Sequence, residues 1–292
     1  MSSDLASRFN LRFAVRQSSD LGDGVFAVGD IDANTNWSRA LSGVDAIIHT
    51  AARAHIMDKS VGDPLAAYCI VNVQGTLALA RQAAVQGVKH FIFISSVKVN
   101  GEYTEPGKPF TEDITELPDD PYGLSKYKAE MALRAISKSS GMAVTIIRPP
   151  LIYGPGVKGN FAKMLCLLFR GIPLPFGSIV NRRSVLSLGN LSSFVERCLI
   201  DKRARAQTFL IADAESVSTA RLFSLLGEAI GRKPFMLPVP VWLIQAFARL
   251  VGKKEIVARL TESLELDITK AQSLLEWKPP YDTGDEMKRF FG

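Results

Sequence analysis

Cysteine and histidine are scarce in this chain, three of each in 292 residues. Cys69, Cys166 and Cys198 stand far apart in apolar surroundings. That pattern encodes neither a disulfide framework nor a metal site, and it fits buried thiols in a reducing compartment. Long apolar runs are missing as well. No stretch reaches the roughly 18 residues needed to cross a bilayer. The longest charge-free stretch of the second half, 234–248, is broken by three prolines. The opening MSSDLASRFN has no apolar core of a signal peptide, so the cytoplasm is the expected location. Repeats and low-complexity segments are absent too.

What is present is a globular composition, 47% apolar and 22% charged, enough for one large or two small units. The charge is uneven. Residues 1–150 hold 15 basic and 16 acidic side chains, a net of −1; residues 151–292 hold 20 and 13, a net of +7. A basic second half suits an anionic small ligand such as a nucleotide diphosphate. Nucleic acid is the weaker reading, because the basic residues are scattered and only pairs such as Arg182-Arg183 and Lys253-Lys254 cluster.

Short β-branched or aromatic runs alternate with amphipathic stretches through the first half. LRFAV (11–15), VFAV (25–28), AIIH (46–49), FIFIS (91–95) and VTIIR (144–148) read as buried strands. The longest helical patterns between them run from Pro64 to Gln86 and from Pro121 to Ser139. Such alternation predicts an α/β fold, a doubly wound parallel sheet covered on both faces. Beyond residue 150 prolines cluster and helices dominate, which marks a smaller, mostly helical second unit. TFLIA (208–212), after a helix beginning near Asn190, returns to the sheet. The expected division is 1–150 with 184–212 for the sheet domain, and 151–183 with 213–292 for the second. Within the latter, VPVWLIQAFARLVGKK (239–254) is an apolar helix with a basic end. Packing inside that domain is preferred over attachment to a membrane surface.

The residues that carry chemistry sit in PYGLSK (121–126) and FISSVKVNGE (93–102). Tyr122 and Lys126 are four apart on a predicted helix and share a face. An ammonium beside a phenol stabilises the phenolate, lowers its pKa from about 10, and makes a general acid–base for a hydroxyl proton. Ser95 and Ser96 end the strand before it, at the carboxyl edge where ligands of open parallel sheets bind.

Together with IIRPPLIYGPG (146–156), these segments resemble the extended short-chain dehydrogenase/reductases. The UDP-hexose 4-epimerases and the 4-ketoreductases of deoxysugar synthesis are the most similar branches. GDI (29–31), HTAARAH (49–55), VNVQGT (71–76), NRRSVLSLGN (181–190) and LLEWKPP (274–280) extend the resemblance over nearly the whole chain. It implies a Rossmann-like cofactor domain, NAD as cofactor, and Tyr122 as acid–base. Lys126 would be its partner and a ribose ligand, and Ser96 a hydrogen bond to the reacting hydroxyl. Asp30 and Ile31 match the pair beside the adenine. His49, Thr50, Ala51 and Ala52 match the loop along the diphosphate and ribose, and Asn72 a structural asparagine behind the site. Ser95 and Pro149 are placed against the cofactor by the same motifs. Asn160 and Arg183 match positions that hold the uridine diphosphate, and Lys98 and His55 reach toward the sugar. A homodimer is the assembly common among such relatives.

The chain departs from that family in lacking a Gly-x-x-Gly-x-x-Gly turn after a first strand. DLASRF (4–9) reads as the end of the first helix, running straight into the second strand. In the order 3-2-1-4-5-6 the strand so missing is central, and each backbone hydrogen bond lost there costs about 1–3 kcal/mol. A longer natural product, a shortened chain and a remnant without catalysis are the three readings. After the second strand no acid follows Val15; Arg16 stands there instead, which leaves NADP open beside NAD. Val97-Lys98 after Ser96 replaces the Asp-Glu of 4,6-dehydratases and argues against dehydration. The leading expectation is a nucleotide-sugar 4-epimerase working by transient oxidation at carbon 4. The alternatives are a 4-ketoreductase using NAD(P)H and, in another class, an inactive homologue that acts as a binding protein.

Overall fold

The computed structural model describes residues 5–17, 22–54, 62–156, 160–250, 252 and 254–292. The central sheet is built from β3 (Ala46–His49), β4 (His90–Ile94), β5 (Ala143–Arg148) and β8 (Thr208–Leu210) in that order, all parallel. β4, HFIFI, is buried at all five positions. A continuous apolar run of this kind belongs to a strand covered on both faces. Its one polar member, His90, is satisfied internally: its Nε2 lies 2.8 Å from the Thr145 hydroxyl on β5.

β1 (Phe13–Val15) and β2 (Val25–Ala27) form a second parallel pair. Among the described residues no strand lies between β1 and β3, so the two sheets are not joined by backbone pairing. Leu5 packs beside that interval, 2% exposed, in one core with Ile92, Ile147, Phe194 and Phe209. A third short pair, β6 (Leu151–Tyr153) with β7 (Val185–Ser187), follows directly on β5 and was not expected.

The helices in chain order are α1 (Ser38–Leu41), α2 (Pro64–Cys69), α3 (Thr76–Val85), α4 (Pro121–Ser140), α5 (Asn160–Arg170), α6 (Leu188–Ile200), α7 (Thr219–Ala229), α8 (Val241–Leu250), α9 (Lys254–Thr261), α10 (Thr269–Leu275) and α11 (Thr283–Phe291). α2 and α3 are joined without a break by a π-helical turn, Ile70–Gly75. Its tight face is possible because Gly75 has no side chain: a Cβ there would lie 2.4 Å from the Ile31 Cγ2.

Leu79, Ala83, Leu133 and Val144 pack one face of the sheet, and Leu191, Phe194, Leu275 and Trp277 the other. Tyr153, Phe161, Phe223, Leu226 and Met287 build a separate core for the second half. The halves are tied by Asp213. Its Oδ1 accepts from the Asn190 side chain at 2.7 Å and the Ser187 backbone at 2.9 Å, and its Oδ2 from the Tyr153 hydroxyl at 2.7 Å.

Candidate active site

α4 opens on Asp-Pro, a capping side chain followed by a residue with no N–H to lose. The Asp120 Oδ2 accepts from the Gly123 backbone at 2.8 Å, while its Oδ1 accepts from Lys98 Nζ at 3.0 Å. One carboxylate thus starts the helix that carries Tyr122 and holds the turn that carries Ser96. The close approach is possible at Gly123. A Cβ there would lie 2.5 Å from the Lys98 carbonyl oxygen, which no backbone contact tolerates.

Four residues on, Lys126 is 1% exposed. Its Nζ donates to the Ile94 carbonyl at 2.7 Å and lies 4.3 Å from the centre of the Phe93 ring. Ser96, the Lys126 ammonium and the turn of α4 that bears Tyr122 therefore lie at the carboxyl end of β4. The Ser96 hydroxyl accepts from the Lys98 backbone at 3.2 Å and caps the short 3₁₀ turn Val97–Val99. The Tyr122 ring meets Tyr68 of α2 edge-on at 5.7 Å.

The electrostatics differ from the sequence expectation. Lys126 was expected to lower the Tyr122 pKa, but the phenol is pushed up to about 12, first by burial and then by the charge of Asp120 and by Tyr68. Burial pulls the Lys126 ammonium down to about 7, against the opposing attraction of Glu130. The physical reason is that both groups are removed from water, and the ammonium is held by a carbonyl instead of by the phenol.

The cofactor-side candidates divide. Asn72, on the π-helical turn, accepts from the Arg53 backbone N–H at 2.8 Å and donates to the Ser125 hydroxyl at 3.0 Å. Ser125 in turn donates to the Tyr122 carbonyl at 2.7 Å, so Asn72 braces the first turn of α4 from behind. His49 is buried; its Nε2 lies 2.9 Å from the Thr76 hydroxyl, and burial lowers its pKa to about 3. Thr50 is exposed and Ala51 and Ala52 half-buried where the chain leaves β3. Arg16 and Asp30, both exposed, pair with each other at the ends of β1 and β2. Ile31 packs on Gly75. The Ser95 hydroxyl is committed to Glu130 at 2.5 Å, and Glu130 grips Arg148 through two contacts of 3.0 and 2.7 Å. The Pro149 carbonyl accepts from the Val97 backbone at 2.9 Å.

Two places at this edge carry groups that suit a nicotinamide cofactor: the exit of Thr50 to Ala52 from β3, next to buried His49, and the exposed Arg16–Asp30 pair at β1 and β2. Among the described residues no glycine-rich turn stands between β1 and β3 to cradle the diphosphate joining them.

On the substrate side, Lys98 bridges Asp120 and Glu102, the latter at 2.7 Å. Glu102 also pairs with Arg259 of α9 at 3.2 Å, so a chain of ion pairs runs from the cap of α4 into the second half. Arg183 donates to the Glu262 carbonyl at 2.9 Å; burial pulls its pKa down, with Glu262 opposing and Arg259 reinforcing. Arg259 was not foreseen. A single arginine on an amphipathic helix carries no sequence signal, and only folding brings it beside Arg183. Asn160 begins α5, and nothing is described of its side chain; His55 lies outside the described residues.

Comparison with known proteins agrees with this geometry. The profile of the NAD dependent epimerase/dehydratase family matches residues 6–225. A UDP-glucose 4-epimerase of Vibrio cholerae is 46% identical over 287 residues, 98% of this chain and 88% of that protein. An Escherichia coli O157:H7 relative, N-acetyl-alpha-D-glucosaminyl-diphospho-ditrans,octacis-undecaprenol 4-epimerase, is 28% identical over 91% of this chain and 82% of its own. Among solved structures, the UDP-N-acetylglucosamine 4-epimerase of Bacillus cereus shares the fold with a TM-score of 0.76 at 20% identity, over 99% of this chain and 91% of that one. With its sheet, its Tyr-x-x-x-Lys helix and its extent of sequence identity, this chain belongs to the NAD dependent epimerase/dehydratase family.

Proposed function

We propose that this chain interconverts a UDP-hexose and its carbon-4 epimer, as the name of the Vibrio cholerae relative has it for that protein. The observation that carries the reading is the meeting of Ser96, Lys126 and the α4 turn that bears Tyr122 at the end of β4, with an ion-pair chain running from Asp120 through Lys98 and Glu102 to Arg259, beside Arg183. Ser96 orients the 4-hydroxyl, and Tyr122 takes its proton. NAD, held along Thr50 to Ala52 and by Lys126, would supply the reversible hydride acceptance at carbon 4 that epimerisation needs. Burial pushes the free phenol up to about 12 and pulls the amine down to about 7, so Tyr122 would accept the sugar's proton only once positive charge at the Lys126 ammonium and on bound NAD favours its phenolate.

Arg183 and Arg259 are the candidates for the diphosphate, since guanidinium groups clamp phosphate oxygens in pairs. A second reading, in which the hexose rides on a polyprenyl diphosphate as the name of the E. coli relative states for that protein, uses the same arginines. The exposed apolar face of α8 favours it. The cofactor domain, residues 1–150 with 184–212, and a substrate domain from the remainder are the division we propose.

The test is epimerisation of UDP-glucose and UDP-N-acetylglucosamine with NAD, by wild type and Tyr122→Phe. The variant should lose turnover while its affinity for the nucleotide sugar stays within a few-fold. Undiminished turnover would sink the role of Tyr122. One-way reduction of a 4-keto-6-deoxy sugar with NAD(P)H would make the protein a ketoreductase, and failure to bind NAD(H) would make it a binding protein.

A further inference from the structure

The sequence expectation buries α8 in the second domain, and the structure does so with one face only. Ile244 and Ala248 are buried, whereas Trp242 is 68%, Phe247 65% and Leu250 85% exposed. At 100° per residue, Trp242, Ala246, Leu250, Leu243 and Phe247 share an arc of about 140°, and each of the five is exposed. Phe235 and Leu237, on the segment leading into α8, are exposed as well. That segment is held by backbone bonds to Leu174 of 2.8 Å in each direction, so its apolar side chains are presented from fixed backbone. A helix apolar all round is normally covered on every side, and an apolar patch of this extent marks a docking surface.

The charges around it say what docks. Between Glu228 and Glu255 the chain carries five basic residues, Arg232, Lys233, Arg249, Lys253 and Lys254, and no acid, so the face is net basic even with those two flanking glutamates counted. Arg249 on the border of the apolar arc and Lys254 at the start of α9 are exposed. A second copy of this chain would bring the same basic fringe against itself in a two-fold interface, which like-charge repulsion disfavours. A surface of phosphate headgroups over hydrocarbon complements both features, the aromatic stripe and the cationic rim. We infer that the α8 face docks this protein on an anionic phospholipid bilayer. Trp242, Leu243, Phe247 and Leu250 enter the headgroup layer, and Arg249 and Lys254 pair with lipid phosphates. This docking goes beyond the epimerase reading and is independent of which diphosphate carrier the sugar has.

The full-length chain carries its own probe. Of its three tryptophans, Trp37 and Trp277 are 3% and 4% exposed, so a change in emission on lipid binding reports Trp242. Vesicles of equal phosphatidylglycerol and phosphatidylcholine should sediment the protein and shift its emission to shorter wavelength. Vesicles of phosphatidylcholine alone should do neither, and added salt should weaken the binding. Arg249→Glu with Lys254→Glu should weaken it about tenfold or more. Leu243→Ser with Phe247→Ser keeps the probe and should weaken binding at least as much, with circular dichroism and soluble epimerase activity unchanged. A wild type that neither sediments nor shifts overturns the inference, as does undiminished binding by the serine variant. So does a dimer in light scattering that the serine variant dissociates without any lipid binding by the wild type, which would give the face to self-association.

Discussion

Lys126 is the residue at which stability and chemistry meet. Its pKa is pulled from 10.5 to about 7 by burial, while in the unfolded chain it stays near 10.5. Between those values the unfolded state holds the extra proton, so stability rises with pH through that window. Urea denaturation should therefore show an unfolding free energy that rises between pH 7 and 9 by an amount on the order of a few kcal/mol. Lys126→Met should flatten the rise and lose turnover. His49 and His90 act in the acid range by the same logic. Burial holds them down to about 3 and 4, so stability falls as pH drops below about 6.5, and His90→Leu should reduce that loss. Of these facts the sequence held the pairing of Tyr122 with Lys126, because four-residue spacing on a helix is readable. It did not hold the sign of the Tyr122 shift. A neighbour's charge can be read from spacing, whereas desolvation depends on what the whole fold lays over the ring.

Among the elements, α4 shows how a strand edge becomes a site. Its first turn lies on the Lys98 backbone only because position 123 is glycine. Gly123→Ala would gain helix propensity of about 1 kcal/mol but meets an immovable carbonyl. The expected result is a net loss of about 1–3 kcal/mol in thermal or urea unfolding. Turnover should fall further than the unfolded fraction explains, because Tyr122 moves with the turn. The elements themselves were legible where the pattern was strong. FIFIS, AIIH and VTIIR, mostly apolar, name the central strands to within a residue or two, and Asp120-Pro121 announces the helix start. β6 and β7 were not legible: strands of three residues have no measurable period, and β6 follows directly on a Pro-Pro pair. The exposed stripe of α8 was not legible for a related reason: the packing of one face against the second half was expected, but an apolar helix reads the same whether its other face is covered or bare.

On the scale of the whole molecule the two halves divide the labour by charge. Under the proposed function, the near-neutral first half would supply the proton-transfer residues, and the second half, net +7, Arg183 and Arg259 for the diphosphate. Kinetics should divide the same way. Arg183→Ala and Arg259→Ala should each raise KM for UDP-glucose about tenfold or more with kcat within a few-fold; an unchanged KM would remove these side chains from the diphosphate site. Substitutions at Tyr122 or Ser96 should fall on kcat instead. This division was visible in the charge count, although the link between the halves, Asp120 to Lys98 to Glu102 to Arg259, was not: its members lie far apart in the chain. The π-helical turn at Ile70–Gly75 bears on what changes to its coding sequence the protein tolerates. It spends more residues per revolution than the spirals on either side. Loss of a single codon there would draw it back toward an ordinary spiral, with Tyr68 before it and Leu79 after it still facing their neighbours. Such a shortened protein would fold and yet lack the brace that Asn72 gives to the first turn of α4.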